Sequence, residues 1–478
     1  QTARTESVNF APDFVWTKRR DDSNSHQLYD SVRGDNKILQ SDGAGIEETV
    51  SNSLSFSESK GINIGSGTRS NENSVSYVAW AWKAGGSKNT FNIDDEGFAN
   101  ASDVGMNVGG QNSNAYNQTT LWRNSTTTTD IATNTGNDIN SVFDGRLDTG
   151  TRGANAGDTG KLEWAPGTIQ GHVKVYTDES GGPGPLYYKD GGTQLQVNAP
   201  AIGGWNDLGL IDLTQLRFGY PSGGNVLFVN AIELDGRILC DSDVSSPPNL
   251  PSIANTGSSV GTDQGFSIVK YTGTGNNASI AHGLNESPNV VLVKRLTGGT
   301  AYWEMFHSSV GPTKVLYLNT VDDAQTSSAS WNNTTPNPSI FYIGTSSGTN
   351  AASSDYIAYC WHDVPGLQKF GSYTGSSSFP FVECGFRPAI IILKKYDGTD
   401  KWCIYDTARG TVNTVQTQLH PNTNDAESGD LFNLDILSNG FRPMDTSGQV
   451  NENNKNYIFL AWAESPSFNL FGAQSNAR

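Results

Sequence analysis

Three short sequence elements occur three times along this chain of 478 residues, in the same order each time. The first is an apolar run that contains a proline near its start and ends in two basic residues, the second ends in glycine, and the third runs from tyrosine to tryptophan. The proline-to-glycine spacing is 22, 23 and 22 residues, and the proline-to-tyrosine spacing is 65, 68 and 69 residues. This periodicity predicts a fold built from similar supersecondary units. In chain order the copies are APDFVWTKRR (11–20), HQLYDSVRG (26–34) and YVAWAW (77–82); SPNVVLVKRL (287–296), WEMFHSSVG (303–311) and YIAYCW (356–361); RPAIIILKKY (387–396), WCIYDTARG (402–410) and YIFLAW (457–462).

The third element has the pattern of a strand. Successive side chains of a strand point to opposite faces, so YVAWAW places its Tyr and both Ala on one face and its Val and both Trp on the other. The other two copies keep a face that is mostly small after its Tyr and a bulky face that ends in Trp. We therefore predict that YVAWAW is a buried central strand rather than an exposed sugar-binding platform.

The composition agrees with strands joined by tight turns. The chain contains 53 Gly and only 17% charged residues. Gly, Asn, Asp and Ser favour hairpin turns because they tolerate positive φ angles. We predict an all-β fold in which three tandem β-sandwich repeats of about 80–100 residues follow one another.

The charge and motif content exclude several functions. A net charge of −17 disfavours nucleic-acid binding because it repels phosphates. No apolar run reaches the roughly 20 residues of a membrane-spanning helix. None of the six His residues forms a protease or metal-binding pattern, so we predict structural or surface roles for them and no catalytic residues.

A segment of different character separates the first and second copies. We predict repeat 1 at 1–86, a polar connector at 87–115, an inserted β-sandwich at 116–243, a linker rich in Pro and Ser at 244–265, and repeats 2 and 3 at 266–367 and 368–478. A further element, FSIVKYTG (266–273) and KFGSYTG (369–375), precedes the last two copies but has no room before Pro12. We therefore expect repeat 1 to be incomplete and the natural polypeptide to continue before Gln1.

The repeat elements resemble a known family. The runs FAPDFVWTKRR, HQLYDSVRG, YVAWAW, YTG and WNNTTP resemble a domain of unassigned function in virion structural proteins of tailed phages, many of them tail-fibre proteins from phages of marine bacteria and cyanobacteria. The resemblance covers residues 1–86 and 266–478. It implies a tail fibre, spike or capsid decoration on the virion surface, which contacts other phage structural proteins and copies of itself, as a trimer if it is a fibre. It implies no active site.

The insertion has a resemblance of its own. The run VFDGRLDTGT (142–151), then Trp164 and VKVYT (173–177), is similar in order to discoidin-like sugar-binding modules, which implies a jelly-roll-like β-sandwich that binds host-surface glycan. Aromatic rings stack on sugar rings, and Gly-rich loops expose such rings, although any single Trp is also a core candidate. The candidate glycan-binding residues are Trp122, Trp164, Tyr187, Tyr188, Trp205 and Tyr220.

Other polar groups carry two interpretations each. Asp94, Asp95 and Glu96 with Asp103 could supply oxygen ligands to calcium, but their spacing is not that of a known calcium loop and a solvated connector is favoured. The basic pairs that end each first element could form a receptor patch, yet strand ends that emerge into water are favoured. Asp30 and Asp406 occupy equivalent positions, but His307 stands at the third, which favours a structural role.

The sequence therefore predicts a non-enzymatic phage virion structural protein with host-surface glycan recognition. A tailspike polysaccharide depolymerase and a bacterial surface adhesin remain as alternatives. We expect no cofactor apart from the calcium alternative. Buried thiols are favoured for the cysteines, and a disulfide between Cys384 and Cys403 is left open.

Overall fold

The computed structural model describes residues 2–56, 61–108, 121–129, 139–144, 150–152, 161–179, 185–218, 227–234, 237–241, 251–410, 412–429 and 433–463. These residues form two compact units. Unit 1 comprises the described residues of 1–99, 253–337 and 341–478. Unit 2 comprises those of 100–252 together with 338–340.

Short strands are the main regular secondary structure of both units. Before the insertion, unit 1 contains β1 (Arg4–Glu6), β2 (Phe14–Arg19), β3 (Gln27–Asp30), β4 (Lys37–Ile38), β5 (Glu48–Thr49), β6 (Leu54–Phe56), β7 (Ile62–Ile64), β8 (Tyr77–Trp82), β9 (Phe91–Ile93) and β10 (Glu96–Phe98). Unit 2 contains β11 (Thr126–Thr129), β12 (Thr151–Arg152), β13 (Lys161–Trp164), β14 (Ile169–Glu179), β15 (Leu186–Asp190), β16 (Thr193–Val197), β17 (Gly204–Phe218), β18 (Leu227–Leu234) and β19 (Arg237–Ile238).

The strands after the insertion belong to the last two copies. They are β20 (Asn255–Gly261), β21 (Phe266–Thr272), β22 (Ala278–Ala281), β23 (Val290–Arg295), β24 (Glu304–His307), β25 (Lys314–Tyr317), β26 (Gln325–Thr326), β27 (Ile340–Ile343), β28 (Asp355–Trp361), β29 (Gln368–Thr374), β30 (Val382–Glu383), β31 (Pro388–Lys395), β32 (Cys403–Asp406), β33 (Leu434–Leu437), β34 (Gly440–Pro443) and β35 (Asn456–Ala463).

Helices in the described residues are single turns. They are α1 (Thr68–Asn71), α2 (Ser328–Trp331) and α3 (Ser347–Asn350), with 3-10 turns at Ala101–Val104, Trp122–Ser125 and Ile139–Val142. The all-β prediction is confirmed. In the part of the chain that the structure describes, no helix has the length and apolar character needed to cross a membrane.

Three antiparallel strand pairs of unit 1 share one register. In each pair the first-element strand lies beside the Tyr-to-Trp strand, as β2 beside β8, β23 beside β28 and β31 beside β35. The second-element strands β3, β24 and β32 flank the other side. The pairs that place each terminal Trp are Phe14–Trp82, Val290–Trp361 and Ile390–Trp462. The same sequence pattern therefore produces the same local sheet three times.

The bulky faces of these three sheets converge on one hydrophobic core. The ring centroid of Trp462 lies 5.4 Å from that of Trp82 and 6.1 Å from that of Trp361. A small apolar cavity remains between the sheets and is lined by side chains from all three copies. Removing the apolar surface of a Trp-rich face from water is favourable. The three faces therefore bury one another in one shared core.

The small faces of the first and third copies pack inside those copies. In the first copy, Val15 and Tyr29 contact Leu54 and Ile62 of the three-stranded sheet β1-β7-β6. In the third copy, the same face of β31, β32 and β35 packs against the sheet β30-β34-β33. Each of these two central sheets is thus covered on both sides, as layered β folds require.

The position of YVAWAW corrects the prediction that it is a central strand. Its cognates β28 and β35 lie between two neighbours, whereas β8 has, among the described residues, one neighbour, in the sheet β3-β2-β8. Ala79 is exposed, although its equivalents Ala358 and Phe459 are buried. The strands that cover the cognates are β21 and β29, and in the described residues β8 has no counterpart to them.

The segments that composition assigned to a connector and a linker contain strands. β9 and β10 lie within 87–115 and form a hairpin, and β20 lies within 244–265. β20 pairs in parallel with β9 and antiparallel with β21, so both segments extend the sheet of the second copy. Their polar residues therefore belong to strands at one side of a sheet and not to an unstructured linker.

The first Lys of each basic pair is buried, which contradicts both sequence interpretations for that residue. Lys18, Lys294 and Lys394 are 1%, 0% and 0% exposed. Each ammonium donates to a backbone carbonyl, at 2.7, 2.6 and 2.9 Å respectively. Burial lowers their pKa values to about 8, about 7 and about 8. These hydrogen bonds hold the backbone at the end of each strand or in the loop that follows it.

The four cysteines are buried free thiols. Cys384 and Cys403 therefore form no disulfide. Burial raises the pKa of the Cys384 thiol to about 12, which keeps it protonated and unreactive at neutral pH.

Unit 2 is built on one hydrogen-bonded sheet with the order β11-β13-β17-β14-β18-β12, to which β15, β16 and β19 add at its sides. One face of this sheet carries the core of the unit, including Val173, Val175, Leu213 and Ile232. The opposite face of the long central strands carries the polar and aromatic residues considered next.

Candidate functional site

The outer face of the unit 2 sheet follows from strict alternation in β14. Val173 and Val175 point into the core and are fully buried. His172, Lys174 and Tyr176 alternate with them and are only partly buried. His172, Lys174 and Tyr176 therefore lie on the outer face of the sheet, because Val173 and Val175 point the other way, into the core.

Two aromatic rings lie side by side on this face. Tyr176 of β14 is directly opposite Trp205 of β17. Their ring centroids are 5.3 Å apart and their planes are inclined by 83°, the edge-to-face arrangement that aromatic pairs favour. Both residues are half-buried, so part of each ring stays at the surface.

Charged and polar groups surround the ring pair. Lys174 Nζ lies 3.1 Å from Glu233 Oε1, and His172 Nε2 lies 3.0 Å from Asp207 Oδ1. Beyond them Leu210, which pairs with His172 across the strands, is 82% exposed. We call these residues the Tyr176–Trp205 face; its members are His172, Lys174, Tyr176, Trp205, Asp207, Leu210 and Glu233.

A buried amide holds the segment that carries Trp205. Asn206 Nδ2 donates to Val175 O at 3.1 Å and to Thr177 Oγ1 at 2.7 Å, and its Oδ1 accepts from Ala201 N at 2.7 Å. These bonds attach the loop before β17 to β14. The Trp205 ring is therefore positioned before any ligand arrives, which lowers the ordering cost of binding.

Two of the predicted aromatic residues are core residues. Trp164 is fully buried and Trp122 nearly so, and Trp164 Nε1 donates to Trp122 O at 2.9 Å. Their rings pack edge to face with centroids 6.1 Å apart. Neither ring reaches the surface, so neither can stack on a sugar from solvent.

The remaining candidates lie apart from Trp205. Tyr188 packs partly against the unit 2 core, and Tyr187 pairs with Arg217 on β17. Arg217 follows Trp205 by 12 residues, which corresponds to roughly 35–40 Å along a strand. Tyr187 and Trp205 therefore cannot belong to one monosaccharide site. Tyr220 lies outside the described residues.

The acidic residues considered for calcium are engaged in protein contacts. Asp94 accepts from Thr262 N and Oγ1 at 2.8 and 2.7 Å, and Asp95 Oδ1 accepts from Lys83 Nζ at 2.6 Å. Asp103 Oδ2 accepts from Asn100 N at 3.2 Å in a 3-10 turn, whereas Glu96 is exposed. The described residues contain no group of three or more His, Cys, Asp or Glu arranged to hold a metal.

Sequence reasoning missed Tyr176, His172 and Lys174. The signal was present in HVKVYTD (172–178), whose period-two alternation separates two valines from three polar or aromatic residues. Gly-rich loops favour other candidates, and only the register of β14 and β17 places Tyr176 beside Trp205.

Comparison with known families identifies the repeat region. A family model described as a domain of unknown function, DUF7483, matches residues 1–95 and 248–466. The chain belongs to this family. The DUF7483 match skips residues 96–247, so most of unit 2 is an addition to the DUF7483 region of this chain.

Two further comparisons add little. A search of curated proteins finds no match. Among solved structures, a cryo-EM structure of the mycobacterial arabinofuranosyltransferase AftD matches with 9% identity and a TM-score of 0.20, over 71% of this chain and 34% of that one. The chain thus spans about a third of that protein's length, and the TM-score does not indicate a shared fold.

Proposed function

We propose that this chain is a structural protein of a tailed-phage particle and that unit 2 binds host-surface carbohydrate through the Tyr176–Trp205 face. The observation that carries the carbohydrate part is the edge-to-face ring pair at 5.3 Å, held at a solvent-facing position among charged side chains. The proposal assigns no catalytic step to the chain.

The chemistry of the face suits a pyranose. A half-exposed indole or phenol ring offers an apolar surface to the C–H face of a sugar ring. The exposed carboxylate of Asp207 accepts hydrogen bonds from sugar hydroxyls, and the Lys174 ammonium donates to ring or hydroxyl oxygens. These groups lie on adjacent strands, one or two residues from the rings.

The virion role is supported by different observations. The repeat elements resemble those of tail-fibre and related phage proteins, and they build a single β scaffold in unit 1. A scaffold of this kind, which carries an additional sheet outside the family match, suits a particle-surface protein that displays a binding unit. Assembly with copies of itself and with other particle proteins belongs to the same proposal.

The test is binding of purified bacterial capsular and lipopolysaccharide fractions and of a panel of simple glycans. We expect wild-type chain to bind at least one of them, and Trp205→Ala and Tyr176→Ala each to lower the affinity about tenfold or more, equivalent to about 1.4 kcal/mol. Tyr187→Ala is the matched control, because it removes a half-buried ring from β15, beside the distant end of the strand that carries Trp205.

Three outcomes separate the alternatives. Equal loss in Tyr187→Ala, or unchanged binding in both variants of the face, would contradict the proposed site. Release of reducing ends from a polysaccharide would favour the depolymerase. Location of the chain on a bacterial cell envelope, with none in purified particles, would favour the adhesin.

A further inference from the structure

We propose that unit 1 is an intrachain trimer: its three copies close into a ring through one repeated contact surface, so that a single chain takes the place of the three chains of a cyclic trimer. We call the contact surface between two copies a junction. Each ring then carries one unit 2. Under the proposed function, on which this last consequence rests, each ring displays one glycan-binding face, whereas a ring of three chains would display three.

One backbone hydrogen bond recurs at the same place in all three junctions. In every copy the donor lies two residues before the start of the second sequence element. In the order of donor and acceptor, the pairs are Ala301 N with Ala44 O at 3.1 Å, Asp400 N with Val321 O at 2.8 Å, and Asn24 N with Asn424 O at 2.9 Å. Three different pairs of segments therefore contact each other in the same way.

A side-chain contact repeats at two junctions with the same spacing. The second element begins with Trp303 in copy 2 and with Trp402 in copy 3. Trp303 Nε1 donates to Gln40 O at 2.8 Å, and Trp402 Nε1 donates to Tyr317 O at 3.0 Å. Both of these acceptors lie four residues before the acceptor of the backbone bond at the same junction. The two contacts thus belong to one repeated surface.

The third junction has a histidine at the position of the two tryptophans. The same spacings lead to His26 of copy 1 and His420 of copy 3. The His26 ring is fully buried, and the backbone of His420 lies beside it. Trp16 Nε1 donates to His26 Nδ1 at 2.9 Å, so Nε2 carries the proton of the neutral ring. The third junction therefore joins the same two positions with a different side chain.

The direction of these contacts closes a ring. Copy 2 donates to copy 1, copy 3 donates to copy 2, and copy 1 donates to copy 3. A head-to-tail contact between like units forms a ring when its rotation closes and a filament when it does not. Because the third step returns to the first copy, each step turns by about a third of a full rotation. The head-to-tail surfaces of all three copies are thus occupied within one chain.

The junction between copies 3 and 1, which we call the seam, has an ion pair of its own. The Arg20 guanidinium donates to both carboxylate oxygens of Glu427, at 2.9 and 2.8 Å, and Glu427 N donates to Arg20 O at 2.8 Å. The residues equivalent to Arg20 are Leu296 and Tyr396, so neither can form this bidentate pair. Because bidentate pairs of arginine and carboxylate are geometrically specific, the seam favours copy 1 as the partner of copy 3.

A short connection favours closure within one chain. β28 ends at Trp361 and β29 begins at Gln368. Val364 and Gln368 exchange two backbone hydrogen bonds of 3.0 Å, and Gln368 Nε2 donates to His362 O at 2.7 Å and to Gly265 O at 2.9 Å. A connection this short holds copy 3 beside copy 2 and gives the seam a high effective concentration within the chain. Exchange of copy 3 between two chains would require the connection to open.

Cysteines across the seam of the full chain test the closure. We expect Asn24→Cys with Asn424→Cys to form an intrachain disulfide on mild oxidation, because residues joined by a backbone hydrogen bond have Cα atoms within the roughly 4.4–6.8 Å that a disulfide accepts. Mass spectrometry identifies the linked peptides, and non-reducing denaturing electrophoresis should show the mass of one chain, 51.2 kDa. The native cysteines are buried and contribute little background.

Two other cysteine pairs are the matched controls. Ala44→Cys with Ala301→Cys occupies the equivalent positions at the junction of copies 1 and 2 and should cross-link to the same extent. Asn24→Cys with Ala301→Cys combines the donor positions of two junctions and should not cross-link. An unlinked seam beside a linked control junction would overturn the proposal, and so would equal cross-linking of the mismatched pair.

The remaining outcome is an interchain disulfide at the seam. Bands of two or three chains would show that copies are exchanged between chains, which would overturn closure within one chain. Neither readout uses a carbohydrate. A failure of glycan binding would therefore contradict the proposed function and leave the ring unaffected, whereas an open or exchanged seam would contradict the ring alone.

Discussion

At the scale of single residues, Asp30 links two copies of the repeat. Asp30 and Arg33 form a fully buried ion pair, and Arg33 N donates to Asp30 Oδ1 at 2.8 Å. The hydroxyl of Tyr359, from the Tyr-to-Trp strand of copy 2, donates to Asp30 Oδ2 at 2.7 Å. A buried carboxylate with three donors is satisfied in a way that a surface turn would not require.

The same arrangement joins copy 3 to copy 1. Asp406 pairs with Arg409 through Nε at 2.6 Å and its backbone N–H at 2.8 Å. Trp80 Nε1, at the position equivalent to Tyr359, donates to Asp406 Oδ2 at 3.1 Å. In copy 2 the equivalent position is His307, and the change from Asp to His has a structural reason.

In that third position all the partners change together. His307 replaces the Asp, Val310 replaces the Arg, and Leu460 replaces the ring that would donate. Leu has no hydrogen-bond donor, so a buried carboxylate there would lack its third partner. The variation therefore follows from packing between copies, and it supports a structural role for Asp30 and Asp406.

Removal of the Trp80 donor tests this link. We expect Trp80→Phe to lower the free energy of unfolding by about 1–3 kcal/mol more than volume loss alone, because Asp406 Oδ2 loses a buried donor. Trp361→Phe is the control: it removes the same atoms from the same core, but Trp361 Nε1 has no hydrogen-bond partner among the described residues. Denaturant unfolding compares the two, and equal losses would contradict the role of the bond.

The buried lysines predict a dependence of stability on pH. The pKa of Lys294 falls from 10.5 to about 7 because of burial. Between about pH 7 and pH 10 the unfolded chain keeps a proton that the folded chain has released, so the free energy of unfolding rises with pH in this window. Lys18 and Lys394 add to the rise above about pH 8.

Lys294→Met isolates this contribution. The substitution keeps an unbranched side chain beside Trp303 but removes the titrating group, so we expect a smaller rise between pH 7 and 10, by an amount on the order of a few kcal/mol. Denaturant midpoints across this range measure it. An unchanged slope in Lys294→Met would contradict the prediction.

At the scale of strands, alternation in the sequence predicts which residues of the Tyr-to-Trp strands share a face. It does not predict which strands lie beside them. The bulky and small faces predicted from YVAWAW are the faces that pack into the shared core and the copy's own sandwich. The edge position of β8 could not be predicted, because it depends on whether a strand distant in the chain lies beside it. The same limit applies to Tyr176 and Trp205, which are 29 residues apart in sequence and meet through strand register.

At the scale of the whole molecule, the two units have separate cores. All the residues of the shared core lie in unit 1, and those of the unit 2 core lie between 122 and 239. β10 pairs with β9 and β9 with β20, so the chain leaves and re-enters unit 1 two strands apart, about 10 Å.

Excision of the insertion tests this independence. We expect a chain in which residues 103–250 are replaced by about eight Gly and Ser residues to keep a cooperative thermal transition, because β9, β10 and β20 remain paired. We also expect it to lose polysaccharide binding entirely. Differential scanning calorimetry measures the first outcome, and a shortened chain that unfolds without a transition would contradict it.

By itself, the sequence determined the all-β class, the triplicate elements and the face that each strand buries. These properties are local, since they depend on residue type, turn chemistry and a period of two. The tertiary structure alone decided that the three bulky faces share one core, that Lys18, Lys294 and Lys394 are buried, and that Tyr176 meets Trp205. Each of these depends on which remote segment lies opposite, and an apolar face has the same composition whichever partner covers it.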